Sequence, residues 1–329
     1  MRLSPRFRLV LVLPVSSALC TSAGESVGAP LLMQLHLFGA ATPTGEAFGH
    51  CAALVEPSWK LYVYSRRSFI HRADFRDPVA FRPAGELGAS AIWISFGPIW
   101  LLAPFLEQQA RSHPERVSGL RGLIACSSSS ALTKRYAANP FDRHLVSSLT
   151  SSEEQLLSTC RRLEIPCRIL QPTLIYGQVG RYSDRNLSRL LQLLRRLPLL
   201  PLPSSTGLRQ PIHARQLAAV AFRMAQQLSR RDCDPALSER IPLGGDVPLS
   251  YRAMLQALQQ AQPSGDPARR CYLLPIPSRL FYLLMAPLLL YSPKAFEAVL
   301  RIGADLAGFI PSHQLLAEPP QPFPLPDLP

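Results

Sequence analysis

The chain has 329 residues, 47% of them hydrophobic, which is enough for one large α/β domain or two smaller lobes and excludes wholesale disorder. Its formal charge of +13 comes mainly from arginine, in pairs such as Arg66-Arg67, Arg161-Arg162 and Arg230-Arg231 scattered between apolar runs. That scatter, with no interleaved aromatics, argues against a nucleic-acid surface and for solvated faces or an electropositive cleft for a phosphorylated small molecule.

The first thirty residues open with a basic, then apolar, then small-residue stretch, as a secretory signal does. Met33 stands just before the first core strand, however. Residues 1–31 are therefore read as an extension ahead of a cytoplasmic protein, and a true signal as the minority alternative. The seven cysteines show no CxxC or Cys/His spacing, so reduced thiols and no metal site are expected.

Strand-length apolar runs then alternate with amphipathic helices. "LHLFGA" leads into a helix from about Thr44, and "KLYVYSRR" is a second strand. "ASAIWISFGP" is a third, followed by the helical "IWLLAPFLEQQARS". "LRGLIACSSSS" is a fourth and "PCRILQPTLIYG" a fifth, separated by the helix "SSEEQLLSTCRRLE". This alternation predicts an α/β fold, a Rossmann-type doubly wound parallel sheet over residues 32–175. A smaller substrate lobe is expected over 176–312, with segments near Pro211–Arg223 returning to the first lobe. "LPLLPLP" reads as a Pro-bounded loop. "RLFYLLMAPLLLY" contains Pro287 and is too short to span a bilayer, so it reads as a buried or interfacial helix. Membrane contact is the minority expectation. The Pro-rich tail, 313–329, reads as poorly ordered.

The chemistry is concentrated at "GAATPTG". Gly39 permits the sharp turn out of the first strand, and Gly45 lets the helix pack closely and aim its N-terminal amides at a pyrophosphate. Thr42 stands where a glycine would let phosphates approach, and its hydroxyl is expected to donate to a phosphate oxygen instead. At the end of the second strand, Ser65, Arg66 and Arg67 suit the extra phosphate of NADP better than the ribose hydroxyls of NAD. In "ADFRDP", Asp74 is placed to meet the adenine.

From about Leu32 to Pro322 the chain resembles the extended short-chain dehydrogenase/reductase superfamily, in particular its NAD-dependent epimerase/dehydratase branch. The resemblance rests on "GAATPTG", "YSRR", "ADFRDP", "ACSSSSALTK", "LQPTLIYG", "GLRQPIHARQLA" and, more faintly, "DLAGFIPSHQLL". It implies NADP or NAD as cofactor, a nucleotide-linked sugar as substrate, and room for a homodimer. It places Ser129, or a neighbouring serine, at the reacting sugar oxygen. Pro172 and Thr173 fall beside the nicotinamide, Tyr176 at the start of the substrate loop, and Arg209 and His213 toward the nucleotide diphosphate.

One departure is large. The superfamily's Tyr-x-x-x-Lys pair is missing from the helix "DRHLVSSLTSSEEQLL". Matching Glu154 to the family's helix acid sets Val146 at the Tyr and Thr150 at the Lys; a shift of one residue gives Leu145 and Leu149. None of these moves a proton. Tyr136 and His144 are the substitutes nearest in sequence. The chain is thus expected to be an atypical enzyme of this kind, or a non-catalytic NADP(H) or sugar-nucleotide sensor. A structural or membrane-peripheral assembly factor using the hydrophobic C-terminal helices is the third reading, which the retained "PTLIYG" and "GLRQPIH" disfavour.

Overall fold

The structure is a computed structural model and describes residues 33–56, 58–66, 71–230 and 238–325. The expectation for residues 1–31, together with Arg67, Arg231, Cys20 and Cys233, lies outside them.

The first strand, β1 (Gln34–Phe38), is buried at every position and passes through a tight turn into helix α1 (Pro43–Val55). β2 (Lys60–Ser65), the two-residue β3 (His71–Arg72) and β4 (Ala91–Ser95) follow, then helix α2 (Ile99–Ser112) and β5 (Leu120–Cys126). A short helix α3 (Ser130–Thr133) leads to the long α4 (Pro140–Arg162) and then to β6 (Cys167–Pro172). Among the described residues these strands build a parallel sheet in the order β6-β5-β4-β1-β2-β3. It is extended beyond β6 by the Arg240–Gly244 and Ile310–Pro311 strands, so two late segments of the chain complete this sheet. β3 was not foreseen.

The strands alternate in the way a sheet covered on both faces demands. Leu35, Leu37, Ile92, Ile94, Ile124 and Leu170 point to one layer, which the Ala214–Arg230 helix and α1 cover. Phe38, Trp93, Leu123, Ala125 and Ile169 point to the other, covered by α2 and α4.

Two expectations fail here, and a third, a buried or interfacial helix at 279–291, loses its buried alternative. The "LLPLP" stretch is a strand, Leu199–Pro203, because it pairs in parallel with Tyr272–Ile276 some seventy residues later. The tail is docked through Leu325. Ser312–Leu316 is helical, the Gln321 amide donates to the buried Asp246 at 2.9 Å, and the Leu325 amide donates to the Tyr176 hydroxyl at 2.9 Å. The apolar run at 279–291 is not a buried helix. It forms two short helices, Ser278–Met285 and Leu288–Tyr291, of which only Phe281 is buried. The described cysteines are free thiols.

Candidate functional site

At the carboxyl ends of β1, β2 and β4 lies a cavity of about 310 Å³ whose walls include Gly39, Thr42, Ser65, Arg66, Asp74 and Arg76. Residues from 39 to 76 meet there because parallel strands all end on the same side of the sheet. Gly39 has a φ of +78°, and a side chain on it would come within 2.7 Å of the Gly97 amide. A side chain on Gly45 would sit 2.7 Å from Ala40 Cα, which is how α1 starts so close to the turn.

Thr42 corrects its sequence-based expectation. Its hydroxyl donates to the Gly39 carbonyl at 2.9 Å and accepts from the Gly45 amide at 3.1 Å. It is therefore the N-cap of α1, the role short hydroxyl side chains favour at a helix start. The Gly45 amide is occupied by the cap, which leaves the positive end of the helix as a whole, rather than that amide, to attract an anion.

The floor is aromatic. Phe38 stacks on Tyr64 at 4.8 Å and lies 5.4 Å from Phe75. The Tyr64 hydroxyl is fixed by His36 Nδ1 at 2.9 Å and by the Ala84 amide at 2.8 Å, and burial pushes it well above the usual phenol range. Burial, with the charge of His71, lowers His36 to about 4, so this ring is neutral at physiological pH. Arg66 and Arg76 are exposed at the mouth, while Asp74 Oδ1 accepts from the Arg76 amide at 3.1 Å and fixes the turn. Arg76, Phe75 and Trp100 had not been singled out from sequence; a second arginine in "ADFRDP" was the available signal.

A second group forms at the ends of β5 and β6. The Ser129 amide donates to the Pro172 carbonyl at 2.9 Å, bringing Ser129, Pro172 and Thr173 together. The Thr173 hydroxyl donates to the Gln210 carbonyl. Of the neighbouring serines, Ser127 donates to Glu153 at 2.5 Å and the Ser128 hydroxyl accepts from the Ser130 amide at 3.1 Å. Ser129 is itself buried, and Ser130 opens α3.

The proposed proton-transfer substitutes are not in this group. Tyr136 is 91% exposed, with Arg135 over its ring, and His144 is exposed on α4. Lys134, two residues before Tyr136, is tied to Asp142 at 2.8 Å. Burial alone would raise the Asp142 carboxyl, but hydrogen bonds from Lys134, Asn139 and Arg301 outweigh it and hold the group well below the usual carboxylate range. A carboxyl depressed in the folded state contributes stability that is complete above its unfolded value of about 4 and is lost as pH falls through the folded value. Urea unfolding midpoints should therefore drop on acidification below about pH 4, and Asp142→Asn should flatten that drop while lowering stability at neutral pH.

Of the residues matched to the substrate, Tyr176 and His213 do meet, edge to face at 5.0 Å. They line a cavity of about 700 Å³ that shares no wall residue with the first and is bordered by Phe323, Pro324 and Leu325 of the docked tail. Arg209 does not reach into it. Its guanidinium donates to the carbonyls of Leu208 and Ala304, each at 2.7 Å, and to that of Arg301, and it lies over the Tyr251 ring. It clamps distant backbone segments together, so no fork is left for a diphosphate.

The register of α4 is also decided. Glu153 is buried and Glu154 exposed. Glu153 accepts from Gln171 at 2.9 and 3.0 Å, and from Arg240 at 3.1 Å. Leu149 and Leu145 lie on the same inward side, in the core against α2, whereas the Thr150 hydroxyl bonds back to the Val146 carbonyl at the surface. Of the two alignments, Leu145 and Leu149 are thus core positions, whereas Thr150 is at the surface. Among the described residues no cluster of His, Cys, Asp or Glu is arranged to hold a metal, and no helix is long and apolar enough to cross a membrane.

This is a Rossmann-type fold, and solved structures of several sugar-nucleotide enzymes share it. MoeE5, solved in complex with UDP-glucose and NAD, is similar at a TM-score of 0.55 and 13% identity, over 88% of this chain and 94% of that one. A nucleoside-diphosphate-sugar epimerase from Staphylococcus aureus is similar at 0.53 and 18%, over 88% and 98%. The UDP-N-acetylglucosamine 4-epimerase of Bacillus cereus is similar at 0.54 and 12%, over 77% and 90%. No protein-family model matches the sequence, and no curated protein matches it.

Proposed function

We propose that the protein is an epimerase/dehydratase-like binder of NADP or NAD, with NADP preferred, that takes a nucleotide-linked sugar without Tyr-Lys proton transfer. The observation that carries the dinucleotide reading is the convergence of Gly39, Ser65, Arg66, Asp74 and Arg76 on one cavity at the carboxyl edge of β1, β2 and β4. Their chemistry fits the group. The flat aromatic floor suits an adenine, the N-terminus of α1 suits a pyrophosphate, and two guanidiniums at the mouth suit a 2′-phosphate. Bound there, the cofactor supplies hydride transfer. Ser129 holds a sugar oxygen, with Pro172 and Thr173 forming the adjoining wall.

Binding without turnover is favoured by what surrounds that group. Tyr136 and His144 face solvent, Lys134 is neutralised by Asp142, and the α4 positions that would carry the pair are leucines packed in the core.

Titration of the purified protein with NADPH and NADH, read as energy transfer from Trp100 at the cavity wall, tests this. NADPH is expected to bind about tenfold tighter than NADH, and Arg66→Glu to weaken NADPH by a similar factor while sparing NADH. Equal affinities, unaffected by Arg66→Glu, would remove the NADP assignment. Incubation with UDP-, GDP- and dTDP-sugars should leave the sugars unchanged; conversion of any of them establishes an enzyme.

A further inference from the structure

The 278–296 segment carries an apolar face unlike the rest of the surface. Leu290 is 87% exposed, Tyr291 86% and Leu283 69%, at the tip where the Ser278–Met285 and Leu288–Tyr291 helices meet. Leu280, Leu284 and Leu289 adjoin them, each about half exposed. Phe141, in the first turn of α4, extends the face, with Lys294 Nζ 5.3 Å from the centre of its ring. Scattered exposed leucines need no explanation, but a contiguous cluster does.

The charges around this face are of one sign. Arg279 and Lys294 are exposed at its edges, and the sequence from Ser278 to Phe296 contains no Asp or Glu. The nearest acid, Glu297, is already engaged by the Asn139 amide and side chain, each at 2.6 Å, and by Arg301 at 3.0 Å. A second copy of the chain would set cation against cation with no carboxylate on this segment to receive either. A surface of phosphates over hydrocarbon complements both features at once. The helices are far too short to cross it, so the contact is parallel to the plane.

We propose that this face seats the protein on an anionic lipid bilayer. Leu290 and Tyr291 enter the boundary between headgroups and acyl chains, the Tyr291 hydroxyl remaining at headgroup level. Arg279 and Lys294 bury their aliphatic stems and place their charges among the lipid phosphates. The contact is independent of the coenzyme cavity.

Vesicle flotation of the full chain tests it, using vesicles of equal parts phosphatidylglycerol and phosphatidylcholine against phosphatidylcholine alone. Binding to the anionic vesicles is expected to be at least about tenfold stronger and to fall with added salt. The Leu290→Glu/Tyr291→Asp pair and, separately, Lys294→Glu should each release the protein with thermal unfolding midpoints unchanged. Because the variants leave residues 1–32 intact, an effect of that apolar stretch is separated from an effect of this face. The proposal is overturned if the wild-type chain stays with neither vesicle, or if both variants float as wild type does. It is equally overturned if light scattering shows a dimer that Leu290→Glu/Tyr291→Asp dissociates while flotation is absent.

Discussion

Replacing Glu153 with leucine is expected to lower unfolding free energy by about 3 kcal/mol, which would make it among the most damaging single changes in the first lobe. The side chain is 1% exposed and receives Ser127 from the end of β5, Gln171 from β6 and Arg240 from the strand beyond. One carboxylate thus fastens α4 to three neighbouring strands. Leucine fills the space but leaves the Gln171 amide, itself 3% exposed, without its acceptor in a dry interior. The figure sits at the lower end for a broken buried ion pair because Arg240 is about a third exposed and keeps Glu154 at 2.7 Å. Glu153→Gln, which retains an acceptor, should lose about half as much. Urea denaturation measures both. A loss under about 1 kcal/mol for Glu153→Leu would mean that Gln171 and Arg240 find new partners and that the helix is held by its leucines alone.

Which acid mattered was hidden in the sequence. "SSEEQLL" offers two adjacent glutamates, and a one-residue ambiguity on a helix turns the side chain by about 100°, from core to solvent. Glu153 is fixed inward only by Gln171 and Arg240, residues the chain supplies later. The cavity at the ends of β1 and β2 was easier to read because its parts are local. A strand, a tight glycine turn and a helix lie within residues 34–55, and the next strand ends at Ser65. Doubly covered parallel strands also announce themselves as unbroken apolar runs, so β1, β4, β5 and β6 were legible.

What escaped depends on contacts between residues far apart in the chain. Arg209 was recognisable as a cation, but not that the carbonyls of Arg301 and Ala304 would take up its guanidinium. Proline content made the tail look loose, yet the Gln321 and Leu325 amides find buried acceptors at Asp246 and Tyr176. The apolar run around Leu290 satisfied every criterion for burial except a surface to be buried against.

Introducing a Tyr-Lys pair as Leu145→Tyr/Leu149→Lys is expected to destabilise the protein by about 3 kcal/mol or more and to produce no turnover. Leu149 is 2% exposed and belongs to the layer between the sheet and α2, with Leu156 and Ile169 in the same cluster. An ammonium there loses its hydration. The Glu153 carboxylate stands a single turn along the helix and is already held by Ser127, Gln171 and Arg240. The lysine must either remain unpaired or draw Glu153 away from the strands it fastens, and both routes weaken α4. Where a proton-relay pair would need a polar, accessible helix face, this chain has built packing. Urea denaturation, together with a single-turnover assay using NADPH and UDP-sugars, decides the matter. A double variant as stable as wild type that also converts a nucleotide sugar would show a substrate site intact and awaiting its acid and base, and would restore the enzymatic reading over the sensor.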